Sequence, residues 1–188
     1  FVLSFVPRQS VEPCSWLSRS ATIEPMNELP VLPRQATERD HVLTLRGHTL
    51  LCLQDFRGEG NSKDFIENLA AVQRSLSVDP EQPVEVTDRG DVVCGACPHQ
   101  AATGCSLNGI GSEDAIRAQD HDVLRRLGLA PGDRVAWETI LQRIAGTISG
   151  DALDGICGQC RWLPLGHCRE GIARLRGRIC EGHGTPGN

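Results

Sequence analysis

The sequence contains no tyrosine, one methionine, four phenylalanines and three tryptophans, so aromatic residues make up only 4% of it. A core built from this chain must rest on Leu, Ile, Val and Ala. Long apolar runs are also missing, and none approaches the roughly 20 residues of a membrane-spanning helix. There is no basic excess. Lys and Arg number 19 against 24 Asp and Glu, a formal net charge of −5, which argues against a nonspecific nucleic-acid binder. An export signal is not evident either. Phe1 to Val6 is apolar but has no basic stretch before it and no Ala-x-Ala site after it. These absences point to a cytoplasmic protein with neither a membrane nor a nucleic-acid partner.

Cysteine is what the chain has in excess. Nine is an odd number, spread over 188 residues, whereas a disulfide scaffold normally pairs an even number in a short secreted chain. In a reducing compartment such thiols read as metal ligands or catalysts. Six of them fall into two copies of one pattern. Cys94-Gly95-Ala96-Cys97 is followed after seven residues by Cys105, and Cys157-Gly158-Gln159-Cys160 after seven residues by Cys168. Two cysteines three apart on a tight turn can aim both sulfurs at one ion or cluster. The glycine between them lets backbone N–H groups approach the sulfurs.

Each triplet supplies three ligands where most sites need four. One cluster could draw on both triplets. Alternatively, each triplet could take a fourth ligand, and Cys52 and His48 are the candidates, being four apart and therefore on one face of a helix. An open coordination position is the third arrangement. If a single site is shared, sulfurs from both triplets should converge within roughly 7 Å, the span of a cube-shaped cluster. The pattern favours an iron–sulfur cluster, 4Fe-4S before 2Fe-2S, in an electron carrier or a cluster-dependent redox protein with a redox partner protein. The alternative is a zinc-stabilised structural or interaction module. Against zinc, the two C-x-x-C pairs stand 59 residues apart, far beyond a zinc-ribbon spacing. A thioredoxin-like redox pair lacks its βαβ surroundings. A thiol enzyme with Cys52 as nucleophile and His48 as base is a third reading. The bland readings are a small buried Cys52, a hydrogen-bonded structural His48, surface charges at Arg46 and Arg57, and exposed His99, His121 and His167. No acid–base pair stands out among the carboxylates.

Periodicity supplies the frame. Residues 42–46 read as a short strand and 47–56 as a short buried helix. Ser62 is a candidate N-cap for a helix over 62–77 carrying Phe65, Leu69, Val72 and Leu76. Val84 and Val86 alternate in a second strand. A helix over 113–127 turns Ile116, Val123, Leu124 and Leu127 inward. Another over 134–148 carries Val135, Ile140, Leu141, Ile144 and Ile148, and a basic helix begins near Arg169. Trp137 and Trp162 are expected in the core, with Trp162 shielding the second cysteine loop. The expected fold is α+β and predominantly helical. It forms a single compact domain over 41–180, with two short strands and metal-binding cysteine loops. Met26 suggests a native start, which makes 1–25 an upstream extension or else a real tail. Residues 1–40, with Cys14, and the tail 181–188 are expected to carry no fold, and Cys180 no ligand role.

The segment Arg46-Gly47-His48-Thr49-Leu50-Leu51-Cys52-Leu53, continued by Arg57-Gly58-Glu59-Gly60, resembles the opening motif of an uncharacterised prokaryotic family, DUF1284. The likeness runs on through Phe65, Asn68, Asp91, Cys94, Leu127-Gly128-Leu129 and Trp137. It ends in Cys157-Gly158-Gln159-Cys160-Arg161-Trp162 and Gly166-His167-Cys168, so that it covers about residues 43–175. It implies iron–sulfur binding and assigns no reaction. The chain departs from the family pattern at Thr49, where a second His is usual, and at His167, where an aromatic is common.

Overall fold

The computed structural model describes residues 42–181. The expectations for residues 1–41 and 182–188, and for the side chain of Cys180, lie outside the described residues.

Strand β1 (Leu43–Arg46) runs directly into helix α1 (Gly47–Cys52), and helix α2 (Lys63–Val78) follows a loop. Ser62 caps α2, its Oγ accepting from the Phe65 N–H at 3.1 Å, which satisfies one of the orphan donors of the first turn. Asp79, Pro80 and Pro83 stop the helix and lead into strand β2 (Pro83–Thr87). β2 pairs in parallel with β1, Leu45 opposite Val86. Parallel neighbours need a crossover, and α1 and α2 supply it.

The first cysteine loop holds a 3-10 turn at Cys94–Ala96 and a small hairpin, β3 (Gln100–Ala101) with β4 (Gly104–Cys105). Helix α3 (Ser112–Leu127) ends on Gly128, whose φ of 64° closes the C-terminus in the left-handed conformation. Strand β5 (Arg134–Ala136) pairs antiparallel with β2, making a three-stranded sheet in the order β1-β2-β5. Helices α4 (Trp137–Thr147), α5 (Ala152–Cys157) and α6 (His167–Glu181) complete the described chain, with a 3-10 turn at Leu163–Leu165 between the last two.

The structure is α+β and predominantly helical, and both expected strands are present. Three more accompany them. β5 occupies the place where the helix of Val135 was expected to begin. Three residues are too short to set a period. What holds them extended is distant: Arg134 Nε reaches Glu85 Oε2 at 2.7 Å across the sheet, and the Trp137 N–H donates to the Gln82 carbonyl at 3.0 Å.

Leu45, Leu50, Val84, Val86, Val123, Ile140, Ile144, Leu153 and Ile172 are fully buried in one core, and Trp137 packs among them. Each such aliphatic side chain contributes about 1.5–3 kcal/mol on burial. α1 lies across α3, and two glycines allow close approaches around it. A Cβ on Gly47 would stand 2.5 Å from the carbonyl oxygen of Asp120, and one on Gly171 of α6 would stand 2.8 Å from that of Gln54. Gly47→Ala is therefore expected to push α1 off α3 and destabilise the protein by about 1–3 kcal/mol, the usual cost of overpacking. A thermal melt checks this, and an unchanged midpoint would mean that α1 slides freely on α3.

Among the described residues, no helix is long and apolar enough to cross a membrane.

Candidate functional site

Both cysteine triplets are built the same way. In each, the C-x-x-C pair closes a tight turn, with the Cys97 N–H donating to the Cys94 carbonyl at 2.9 Å and the Cys160 N–H to the Cys157 carbonyl at 2.8 Å. The third cysteine then returns after one intervening short element, Cys105 on β4 and Cys168 in the first turn of α6. All seven described cysteines are free thiols. All seven line a single cavity of about 470 Å³, together with His48, Asn61, Asp91, Gln119, Trp162 and His167. Cys52 and His48, four apart on α1, both face it.

Cys52 belongs with the second triplet. Burial, and then the neighbouring sulfurs of Cys168, Cys157 and Cys160, push its thiol well above the ordinary value. Its surface is only partly covered, and it lines the cavity. Burial and Cys160 raise Cys157 to about 11, and Cys168 is raised for the same two reasons. In the first triplet, burial and the charge of Asp91 push Cys94 up to about 12. In the polypeptide alone these groups are neutral thiols at pH 7. That is the opposite of an activated nucleophile, so the thiol-enzyme reading of Cys52 finds no support in its surroundings. Loading such thiols with metal must release protons.

Beneath the cavity lies a polar hub centred on Arg46, which is fully buried rather than a surface charge. Its N–H donates to Asp91 Oδ2 at 2.9 Å and its Nε to Asp120 Oδ2 at 2.7 Å. Its two terminal nitrogens grip Glu113 in a fork, each at 3.1 Å. Every one of these carboxylates continues to a second group. Asp91 Oδ1 accepts from the Cys94 N–H at 2.9 Å, while its Oδ2 accepts from Thr49 Oγ1 at 2.8 Å. Glu113 Oε2 accepts from the Cys105 N–H at 2.7 Å. Asp120 Oδ1 takes both the backbone N–H and the ring Nδ1 of His48, at 2.9 and 2.7 Å. Burial works against the charge on Asp120, but the bonds from His48 and the guanidinium of Arg46 hold its carboxyl below the usual range. Burial likewise opposes the charge on Arg46, and its bonds to Glu113 and Asp120 outweigh that and raise it. The Arg-Gly-His-Thr turn thus has one function per residue. Arg46 holds the carboxylates, Gly47 lets the turn approach α3, His48 faces the cavity, and Thr49 ties Asp91.

Three side chains donate to sulfur. Asn61 Nδ2 lies 3.4 Å from Cys97 Sγ, Gln119 Nε2 lies 3.5 Å from Cys157 Sγ, and Ser112 Oγ lies 3.8 Å from Cys105 Sγ. His167 is a correction to the expected exposed histidines. It is half-buried on the cavity wall, its Nδ1 2.8 Å from Glu59 Oε1 without hydrogen-bond alignment. His99 is also half-buried, whereas His121 is exposed. Trp162 lines the cavity beside the second triplet, with Arg161 5.9 Å from its ring centroid. Arg57 is at the surface and bridges Asp55 and Glu170.

A family described as "Protein of unknown function (DUF1284)" matches residues 60–166, more than half of the chain. The chain belongs to DUF1284. The matched DUF1284 segment contains both C-x-x-C pairs and Cys105. It stops short of His48 and Cys52 on one side and Cys168 on the other, a narrower span than the motifs suggest. Neither a curated protein nor a solved structure matches the chain.

Among the described residues, no three His, Cys, Asp or Glu side chains close on one point tightly enough to clasp a single ion. The thiols are spread around a cavity with room for a group of several atoms. Thiol count, cavity size and donors aimed at sulfur all fit an iron–sulfur cluster.

Sequence reasoning missed Asp120. Its signal was present: Asp120 falls on the same stripe of α3 as Ile116, Val123, Leu124 and Leu127. A carboxylate on the apolar face of an amphipathic helix needs a buried partner.

Proposed function

We propose that this protein binds an iron–sulfur cluster of the 4Fe-4S type through Cys52, Cys157, Cys160 and Cys168, and that it serves one-electron transfer or cluster-dependent redox chemistry with a redox partner protein in the cytoplasm. The observation that carries this is that Cys52 lines the cavity with the second triplet and lies close enough to Cys157, Cys160 and Cys168 for their charges to act on it, which makes up a four-thiolate complement. When bound, the cluster would supply a site that accepts and returns an electron. The chain's own part is to hold and tune it. Gln119 donates to the Cys157 sulfur, and such bonds favour the reduced, more negative state. The side of Trp162 helps keep water from the second triplet.

Anaerobic purification and metal analysis test the reading. A brown protein with iron and sulfide in equal amounts and absorbance near the visible–ultraviolet boundary is the expected result. Cys52→Ser should lower the iron content, as a ligand change would. A colourless protein loaded with zinc would instead favour the structural module.

A further inference from the structure

We propose that the cavity holds a second iron–sulfur centre, bound by Cys94, Cys97, Cys105 and the Nε2 nitrogen of His48. This goes beyond the single four-cysteine centre proposed above and shares its iron–sulfur chemistry, but it rests on different residues.

The first observation is the hub. Three carboxylates radiate from Arg46, and each ends on a member of this set. Asp91 holds the Cys94 N–H, Glu113 holds the Cys105 N–H, and Asp120 holds His48 Nδ1. The buried guanidinium, through Glu113 and Asp120, therefore fixes Cys105 and His48 relative to one another, and the backbone N–H of the same residue, through Asp91, adds Cys94. A fold that needed only a packed core would not bury Asp91 and Asp120, with Glu113 half-buried beside them, around one arginine, because each charge costs free energy to bury.

The second observation is the orientation of His48. With Nδ1 committed to Asp120, Nε2 is the nitrogen left to face the cavity, and among the described residues nothing bonds to it. Metal-binding histidines are typically held this way, one ring nitrogen on a carboxylate and the other on the metal. His48 is a positioned ring on a wall of thiols rather than a histidine satisfied within the core.

The third is the pair of donors on the first triplet. Asn61 Nδ2 points at Cys97 Sγ, and Ser112 Oγ approaches Cys105 Sγ. A neutral thiol is a weak acceptor, whereas a metal-bound thiolate accepts such bonds well. The Gln119 contact on Cys157 repeats the arrangement in the second triplet. The two triplets thus share spacing, turn, and donors to sulfur. A single turn of α1 offers each a fourth ligand, His48 to the first and Cys52 to the second.

The test is iron and sulfide per chain after anaerobic reconstitution of the full chain with ferrous iron and sulfide. The variants Cys94→Ser/Cys97→Ser and Cys157→Ser/Cys160→Ser should each keep about half of the wild-type iron and sulfide, and the half that remains shows that each variant still folds. If the first variant keeps the full wild-type iron content, the second centre is wrong and the four-cysteine reading stands. If either variant loses all of its iron, the six cysteines serve one centre and the proposal falls. If the wild type takes up no iron, both readings fall together. His48→Cys provides an independent readout. It should keep the iron, and it should lower the midpoint potential of one centre, because histidine in place of cysteine raises the potential of such sites. Unchanged potentials for both centres would remove His48 from the ligand set.

Discussion

Replacing Arg46 by Met is expected to destabilise the protein by about 3–5 kcal/mol, the usual cost of removing one partner from a buried ionic network. That is a large share of the roughly 5–15 kcal/mol that a domain of this size has in hand. The substitution keeps much of the aliphatic stem, so lost packing is not the main effect. What it removes is the cation that Glu113 and Asp120 share; Asp91 accepts from the backbone N–H of this residue and keeps that bond. Asp120 is fully buried and Glu113 is half-buried; without the guanidinium both must find another partner or take up a proton. Arg46→Lys should recover little, since one ammonium cannot reproduce the fork on Glu113 together with the separate bond to Asp120. Urea unfolding followed by the fluorescence of buried Trp137 gives the measurement. The triple variant Arg46→Met/Glu113→Gln/Asp120→Asn should regain part of the loss, because it removes the orphaned charges along with the cation. A loss below about 1 kcal/mol in the single variant would mean that the carboxylates are satisfied elsewhere, as surface pairs are.

Acid should unfold the protein steeply. Asp55, Asp88, Glu113, Asp120 and Asp122 are all held below the usual carboxylate range. For Asp88 the leading cause is the bond from Arg117; for the other four, burial works the other way and is outweighed by bonds from Arg or His side chains or, at Glu113, also from a backbone N–H. A carboxylate whose folded value lies below its unfolded one contributes stability that is complete above the unfolded value, about 3.9 for Asp and 4.3 for Glu. That stability is lost as the pH falls through the folded value. All five groups act in the same direction. The two arginine pairs of Asp122 lie at the surface, where solvent screens them. Stability should therefore be flat in this respect from pH 7 down to about pH 5 and fall sharply below about pH 4. Asp120→Asn should make that fall shallower while lowering stability at pH 7. A stability curve of the same acid slope in wild type and variant would remove Asp120 from the set.

The sequence carried the long helices because their signals are local. Ser62 before a run of Phe65, Leu69, Val72 and Leu76 needs no tertiary information, and the helix starts one residue later. β5 was not legible because three residues fix no period, and its partner lies in a strand some fifty residues earlier. At the site, the repeat announced the six cysteines by spacing alone. The place of Cys52 beside the second triplet was not legible, because sequence distance says nothing about which wall of a cavity α1 faces. The hub was half legible. Arg46, His48 and Asp91 stood in motifs, whereas Glu113 and Asp120 looked like ordinary acidic residues of a helix, and only the apolar stripe around Asp120 marked it.

Gly47 and Gly171 let α1 be clamped between α3 and the last helix of the described chain, and this has a consequence for how the protein is made. Cys52 leaves the ribosome 116 residues before Cys168. At about 5–20 residues per second, that interval is on the order of ten seconds. Throughout it α1 lacks the helix whose Gly171 packs against the chain just after it, and the last thiol of the cavity is still missing. No nascent fragment that ends before α6 contains the complete cavity. A centre that uses Cys168 must therefore be completed after translation has passed α6, and a truncated chain that lacks this helix should be unable to retain that one.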